Sequence, residues 1–361
     1  MTGTLNTLVL GVGGNVSQSI QKALALATVP TRVVAACITA DAPGLYVADR
    51  AYVSPLAQDP AFDPWLLDVC EREEIDVVLS GSERVLEALA CAATSLRQET
   101  GAVSVVSPPA ILQIGRDKLL TCRWLERNQL PVPAYADLSD STAVTGLVQR
   151  CGFPLVAKPR FGKGSDAVLT IRDERQLAGV AAATDIVLGQ ATAILLQEHV
   201  GNDADEFTAG CFCDRGGIVR GTVVMRRRLQ DGTTVAAELG EFPEVSEAAA
   251  AIVAALRPVG PCNVQLRMHR GRAVAFEINP RFSGTTALRA RLGFNEVDAA
   301  LRHFVLGQPA PELSALPRGV ALRYWNELYV PTEAVTVLRR DGELADPGSA
   351  AIEIERWGLR S

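Results

Sequence analysis

The sequence has little of what would indicate nucleic-acid binding, secretion or membrane insertion. Its formal net charge is −6, and the only conspicuous block of basic residues is Arg226–Arg228, so no basic surface for nucleic acid is expected. The first apolar run has no basic flank and stops at glycines after the length of one strand, which predicts neither a signal peptide nor a membrane span. We therefore expect a protein of the cytoplasm that binds neither nucleic acid nor membrane.

Histidine is also scarce, and cysteine does not occur in metal-binding pairs. The three histidines, His199, His269 and His303, have no spacing typical of a metal site or a catalytic triad. The eight cysteines stand singly except for Cys211 and Cys213, and alternation along one strand explains that pair better than zinc does. We expect the cysteines to be reduced and mostly buried, and we find no side-chain nucleophile paired with a base.

The first hundred residues alternate short apolar runs with amphipathic stretches. The runs LNTLVLGV, TRVVAACI, IDVVLSG and AVSVVS read as strands. The stretches Asn15–Ala27, Trp65–Glu73 and Glu83–Arg97 fit helices between them. Short βα connections of this kind predict a parallel, doubly wound sheet.

The alternation of strands and helices ends at Ser107-Pro108-Pro109, and a different sequence pattern follows. A helix over Asp117–Asn128 leads into an extended linker, because the spaced prolines of LPVPAY exclude helix. The segment FPLVAKPRFGKGSDAVLTI then predicts a hairpin with a glycine-rich loop. Consecutive antiparallel strands follow, ending in a second hairpin formed by CNVQLRMH and RAVAFEIN.

The glycines after the first strand allow a dinucleotide-binding interpretation. Gly11-Val12-Gly13-Gly14 lies between a strand and a helix, and Asp41 could contact a ribose. The third glycine of that motif is missing at its expected spacing, and a helix that begins after glycines can bind any anion, including a substrate carboxylate. An NAD-dependent oxidoreductase is therefore kept as an alternative.

The second hairpin carries the strongest chemical signal. Gln265 on its first strand can lie opposite Glu277 and Asn279, which share one face of the second strand because they are two residues apart. Three oxygen ligands on one face suit magnesium. Arg281 follows directly after Pro280, where its guanidinium could meet a γ-phosphate or an acyl phosphate.

These motifs resemble those of ATP-grasp ligases. The segment NVQ…EINPRFS is most similar to the large-chain halves of carbamoyl-phosphate synthetase and to related carboxylate–amine ligases, and the likeness covers roughly residues 108–308. The resemblance implies a mixed α/β and α+β fold, in which a Rossmann-like pre-ATP-grasp domain (1–107) precedes a two-lobed ATP-grasp fold. The small lobe and linker would occupy 108–190, the large lobe 191–310, and a C-terminal extension packing on the large lobe 311–361.

The resemblance also implies a set of site residues. Those that would bind the nucleotide are Lys118 and Lys158 on the phosphates, Gly162, Gly164 and Ser165 in a flap, Gln197, Glu198 and Val200 at the adenine, and Glu206 on the ribose. Gln265, Glu277 and Asn279 would bind metal, and Arg281 and Lys158 would act in catalysis. Many relatives have a carboxylate where this chain has Gln265, which makes the metal site one charge poorer.

The implied activity is formation of an amide or peptide bond through an acyl phosphate, with ATP and two Mg²⁺ ions (or Mn²⁺) as cofactors. The partners would be a small carboxylate and an amine, with Arg226–Arg228, Arg289 and Arg291 as candidates to hold the carboxylate. We expect one ATP-grasp module without a second half or a glutaminase, and assembly as a homodimer is left open. Two alternatives remain beside NAD: ligation to a thiol, hydroxyl or bicarbonate-derived acceptor, and a regulatory or scaffold protein with a degenerate site.

Overall fold

The fold consists of three main sheets that meet at one cleft. The computed structural model describes residues 3–162, 168–187, 193–315, 318–324, 327–348 and 353–354. The predicted flap residues Gly164 and Ser165 lie outside these residues. Within them, one mainly parallel sheet precedes two antiparallel ones, in the order that the sequence predicts.

The first sheet is built from apolar strands that helices cover on both faces. Its strand order is β17-β3-β2-β1-β4-β5, and all its strands are parallel except β17, which is antiparallel to β3. Continuous apolar runs such as VVLS are typical of such doubly covered strands. The strands are β1 (Leu5–Leu10), β2 (Thr31–Cys37), β3 (Arg50–Val53), β4 (Val77–Ser80), β5 (Val103–Ser104) and β17 (Glu343–Ala345).

The helices follow the amphipathic stretches of the sequence. In the first domain, α1 packs on one face of the sheet, and α2 and α3 pack on the other. The helices are α1 (Asn15–Leu24), α2 (Phe62–Arg72), α3 (Glu83–Thr100), α4 (Pro109–Arg116), α5 (Lys118–Arg127), α6 (Ser141–Cys151), α7 (Glu174–Val187), α8 (Pro243–Leu256), α9 (Thr286–Arg291), α10 (Glu296–Ala300) and α11 (Thr332–Asp341). Short 3₁₀ turns cover Pro43–Val47 and Asp203–Asp205, and a π-helical turn covers Leu301–Val305.

The second sheet has four antiparallel strands in the order β6-β9-β7-β8. They are β6 (Tyr135–Asp137), β7 (Leu155–Pro159), β8 (Leu169–Ile171) and β9 (Ile194–Glu198). The predicted boundary between the small and large lobes at residue 190 is therefore wrong. β9 pairs with both β6 and β7, so this strand belongs to the small lobe and not to the large one. Sequence patterns identify β9 as a strand but do not indicate its partners.

The third sheet is a six-stranded antiparallel sheet with α8 packed on one face. Its strand order is β14-β13-β10-β11-β12-β15. The strands are β10 (Glu206–Cys213), β11 (Val219–Gln230), β12 (Thr233–Leu239), β13 (Gly260–His269), β14 (Arg272–Asn279) and β15 (Gly319–Leu322). Arg270 and Gly271 both have positive φ, so the β13–β14 hairpin closes through a tight two-residue turn that matches strand twist.

The C-terminal segment divides between two sheets. β15 joins the third sheet, whereas α11 and β17 pack on the first sheet beside β3. The predicted packing of residues 311–361 on the large lobe is therefore wrong for α11 and β17. A further pair of short strands, β16 (Leu328–Tyr329) and β18 (Glu353–Ile354), lies outside the three sheets.

The cysteines and the helices can be compared with the sequence over all the described residues. The eight cysteines are free, and six of them are buried, as their sequence environment predicts. Among the described residues, the structure has no helix with the length and apolar character needed to cross a membrane.

Candidate active site

A cleft of about 1180 Å³ lies where the three sheets meet. One end is formed by residues that follow β1, β2, β3 and β4, at the carboxyl edge of the parallel sheet. The other end lies between the second and third sheets, and its walls come from β7, β9, β11, β13 and β14. Most of the predicted site residues line this second part.

Lys158 is a buried lysine on β7. Alternation along the strand places Leu155 and Ala157 in the core of the lobe and turns Val156 and Lys158 toward the cleft. The Lys158 ammonium donates to the Phe276 carbonyl at 3.3 Å. Burial lowers the pKa of Lys158 to about 8, although the nearby carboxylate of Glu277 opposes that shift. An anionic ligand would offset the cost of this buried charge.

Lys118 is held at the same site by the start of α5. Asp117 caps the helix, accepting from Leu119 N at 2.9 Å, and it pairs with Arg160, whose Nε lies 3.0 Å from Asp117 Oδ1. Burial opposes ionisation of Asp117, but the hydrogen bonds from Arg160 and Leu119 hold its pKa below the usual value. The Lys118 ammonium donates to the Gly162 carbonyl at 3.0 Å, which ties the lysine to the loop after β7.

The β13–β14 hairpin brings the three predicted metal ligands together. Gln265 is the cross-strand partner of Glu277, and Asn279 lies two residues further along β14. Gln265 Nε2 and Asn279 Nδ2 both donate to Glu277 Oε1, at 3.1 and 2.9 Å. Gln265 lies opposite Glu277 as expected, although a β-bulge between Gln265 and Leu266 is needed for this pairing. The role of the three residues as ligands stays a prediction.

Glu277 carries the negative charge at the centre of the site. Burial opposes its ionisation, but Lys118, the Asn279 hydrogen bond and Lys158 hold its pKa below the usual range. Its second oxygen, Oε2, accepts no hydrogen bond from any described residue. One carboxylate and two amides are the hard oxygen donors that magnesium prefers, although most of the other ligands would have to be phosphate oxygens or water. The donor types therefore fit Mg²⁺, with Glu277 Oε2 as the open oxygen; the amide oxygens of Gln265 and Asn279 accept from Arg227 and Arg281 here and would have to turn to the ion.

Arg281 connects this centre to the first domain. Its Nη2 donates to Asn279 Oδ1 at 2.9 Å and to Glu83 Oε1 at 3.0 Å. Its Nη1 donates to the Phe282 carbonyl at 3.0 Å. Glu83 is the first residue of α3, so an acid of the first domain helps to orient the predicted catalytic arginine. Glu83 was not among the predicted site residues, because no local sequence pattern links it to Arg281.

Glu206 is engaged by two arginines on the floor of the cleft. Arg227 Nη2 lies 2.7 Å from Glu206 Oε1, and Arg267 Nη2 lies 2.6 Å from Glu206 Oε2. Arg227 Nη2 also donates to Gln265 Oε1 at 2.7 Å, which joins this pair to the predicted metal ligands. A ribose hydroxyl would therefore meet a carboxylate that is already held in place.

The other predicted nucleotide contacts also line the cleft. Gln197 is buried and donates to Cys122 Sγ at 2.9 Å. Glu198 Oε2 accepts from Ala134 N at 3.2 Å, and Val200 is buried beside it. All three residues stand at the end of β9, where the chain passes from the second sheet to the third.

Of the arginines predicted to hold a carboxylate, Arg227 is the one that lines the cleft among the described residues. Arg226 is exposed and pairs with Glu238 at 2.6 Å. Arg289 is 1% exposed and is sealed against Glu296 at 2.7 Å, so its predicted contact with substrate is wrong. The candidates Arg228 and Arg291 do not line the cleft either, whereas Arg323 and Arg267, which sequence reasoning missed, do.

The residues that an NAD site or a zinc site would have used have other contacts in the structure. Asp41, which an NAD site would place on a ribose, forms an ion pair with Arg339. Cys211 and Cys213 are buried in β10, and the described residues contain no cluster of three histidine, cysteine, aspartate or glutamate side chains that could hold a metal. Gly13 and Gly14, by contrast, line the first-domain end of the cleft.

Two family models match separate parts of the chain. A model described as ATP-grasp in the biosynthetic pathway with Ter operon matches residues 190–328. A model described as the PylC-like N-terminal domain matches residues 8–105. The first match covers β9 and the third sheet, and the second covers most of the parallel first sheet.

Curated relatives and solved structures are similar over most of the chain. The carbamoyl phosphate synthase large chain of Mycobacterium tuberculosis is 23% identical over 60% of this chain, and this chain spans about a fifth (20%) of that relative's length. N5-carboxyaminoimidazole synthetase from Staphylococcus aureus, crystallised with ADP, aligns with a TM-score of 0.69 at 15% identity, covering 89% of this chain and 83% of that one. L-amino acid ligase from Bacillus licheniformis aligns with a TM-score of 0.65 at 15% identity, covering 94% and 86%.

Proposed function

We propose that this chain, which belongs to the ATP-grasp superfamily, is an ADP-forming ligase that joins a carboxylate to an amine through an acyl phosphate. In the first step, an oxygen of the carboxylate attacks the γ-phosphorus of ATP, and ADP leaves. In the second, the amine attacks the acyl carbon, the bond from that carbon to the phosphate oxygen breaks, and phosphate and a proton are released. The product is an amide.

The observation that supports this proposal best is the convergence of three cations on Glu277. Lys118, Lys158 and Arg281 all lie close enough to favour its ionised form. The same cations are suited to the β- and γ-phosphates and to the charge that develops during phosphoryl transfer. Arg281 would contact the acyl phosphate, and the two lysines would hold the nucleotide phosphates.

The metal and the rest of the nucleotide fit the same cleft. Gln265, Glu277 and Asn279 would hold magnesium, which when bound neutralises charge on the phosphates. We propose that Gln197, Glu198 and Val200 lie at the adenine, that Glu206 contacts the ribose, and that Gly162, with Gly164 and Ser165, covers the phosphates. The ADP complex of the S. aureus synthetase supports nucleotide binding in this fold.

The acceptor of the phosphoryl group is proposed to be a bound acid. No histidine or lysine hydrogen-bonds a serine, threonine or cysteine of the cleft among the described residues, so an activated protein nucleophile is not indicated there. A carboxylate or bicarbonate would then take the phosphoryl group. A thiol or hydroxyl in place of the amine would leave this first step unchanged.

The proposal can be tested by identifying the nucleotide product and trapping the intermediate. ADP release is measured with a panel of carboxylic acids, amino acids and bicarbonate. Hydroxylamine should then yield a hydroxamate with the correct acid when the natural amine is absent, and oxygen-18 from that carboxylate should appear in the released phosphate. AMP with pyrophosphate, or phosphate without the label, would show that the acyl-phosphate mechanism is wrong for this chain.

A further inference from the structure

We infer that the first-domain end of the cleft binds the amine substrate, and that this amine is an α-amino acid with an apolar side chain. The inference rests on the proposed ligase function and adds to it the place and the chemical class of the second substrate. Three observations support it: the extent of the cleft, an apolar wall at its first-domain end, and two charged groups beside that wall.

The cleft is larger than one nucleotide requires. Its volume of about 1180 Å³ exceeds the roughly 300–1,000 Å³ that is typical of a site for one small molecule. Part of the cleft lies at the carboxyl edge of the first sheet, whose loops line it and which is where open parallel sheets bind ligands. A second substrate at this edge would lie next to the proposed phosphate site, because Arg281 contacts Glu83 at the boundary between the two parts.

One side of this part of the cleft is apolar, and polar residues of the same loops, such as Thr39, Ser54 and Ser82, line the rest of it. Ile38 follows β2, Pro55 and Ala57 follow β3, and Phe62 and Val85 come from the first turns of α2 and α3. Ile38 is 57% exposed, so more than half of a large aliphatic residue that lines the cleft is open to solvent. Contact with an aliphatic or aromatic group of a ligand would remove this surface from water.

Hydrogen bonds between two turns of the first domain hold this region in shape. Ser17 Oγ donates to the Leu10 carbonyl at 2.7 Å and accepts from Gly81 N at 3.0 Å. Ser80 Oγ donates to the same Leu10 carbonyl at 3.1 Å. The turn after β1 and the turn after β4 are therefore locked together before any ligand binds, and Glu83 follows directly from the second turn.

Two charged residues of α3 flank the apolar wall. Glu83 Oε1 accepts from Arg281, while no described residue donates a hydrogen bond to Oε2, which is left for a ligand ammonium. Arg84 is exposed and also lines the cleft. An α-amino acid would place its amino group on Glu83, its carboxylate on Arg84 and its side chain on the wall. The amino group binds as an ammonium and would lose one proton to solvent before it attacks as the neutral amine. Its nitrogen would then lie beside Arg281, where the acyl phosphate is proposed to form.

The test is calorimetric titration of the ADP-bound protein with leucine, aspartate and 4-methylpentanoate, which lacks the amine. We expect leucine to bind at least about tenfold more tightly than the other two ligands. Ile38→Asp should weaken leucine binding at least about tenfold, and Glu83→Gln should remove the preference for leucine over 4-methylpentanoate. Val47→Asp is the matched control, since Val47 is 50% exposed in the same domain and does not line the cleft.

Failure of this inference can be distinguished from failure of the proposed function. Equal binding of leucine to wild type and Ile38→Asp, or equal weakening by Val47→Asp, would overturn the inference while leaving hydroxamate formation from other acids intact. Formation of leucine hydroxamate would also overturn it, because leucine would then be the activated acid. Tight leucine binding that Ile38→Asp abolishes, without any hydroxamate from the panel, would support this site and reject the ligase function.

Discussion

We expect the affinity for ATP to fall as the pH rises through about 8, because Lys158 then loses its proton in the free protein. Burial lowers the pKa of this ammonium to about 8 in the free protein, whereas bound phosphates would favour the charged form and raise it. Below about pH 8 Lys158 is charged in both the free and the ATP-bound protein, so ATP binding takes up no proton. Above it, ATP binding must be accompanied by protonation of Lys158.

The size of this effect follows from linkage of one proton. Each unit of pH above the free pKa reduces affinity about tenfold, which is ~1.4 kcal/mol, as long as the bound pKa remains higher. Between about pH 7 and about pH 9 the dissociation constant should therefore rise about tenfold. Calorimetry in buffers with different heats of ionisation measures the affinity and the number of protons taken up in the same titration.

The controls remove either the lysine or the phosphates. Lys158→Met should bind ATP more weakly at every pH and lose the pH dependence, and adenosine should show almost no dependence with either protein. A thermal unfolding scan verifies that the variant is folded. An unchanged wild-type affinity across this pH range, or the same slope in Lys158→Met, would show that Lys158 does not contact the phosphates.

Three further predictions concern the metal end and the packing around the cleft. Glu277→Gln should abolish ATP turnover in a protein that still unfolds cooperatively in a thermal scan; near-normal turnover would reject the metal assignment. Arg289→Met leaves Glu296 buried without its ion-pair partner and should cost about 3–5 kcal/mol of unfolding free energy in urea titrations, so a loss below ~1 kcal/mol would contradict that coupling. Gly81→Ala places a Cβ 2.3 Å from the nearest side chain and should cost about 1–3 kcal/mol, whereas the control Gly146→Ala, with nothing within 4 Å on its helix, should be neutral or stabilising.

Local sequence patterns predict the helices and strands and which residues of the hairpin share a face. The two-residue period of a strand predicts that Glu277 and Asn279 share a face. The short turn after His269 would by itself pair Gln265 with Phe276, and a β-bulge between Gln265 and Leu266 brings Gln265 opposite Glu277 instead. The change from βα alternation to consecutive strands likewise predicts a parallel sheet followed by antiparallel ones. These properties depend on neighbours within a few residues, so a pattern in the chain is enough to predict them.

Contacts between side chains that are distant in the sequence follow from the packing of the sheets. Glu83 reaches Arg281 across 198 positions, and Arg227 and Arg267 come to Glu206 from two different strands. The pairing of β17 with the first sheet and the burial of Arg289 against Glu296 are of the same kind. Periodicity tells which face a residue occupies but not which element will cover it, because that depends on how the sheets pack and on which buried charges find a partner.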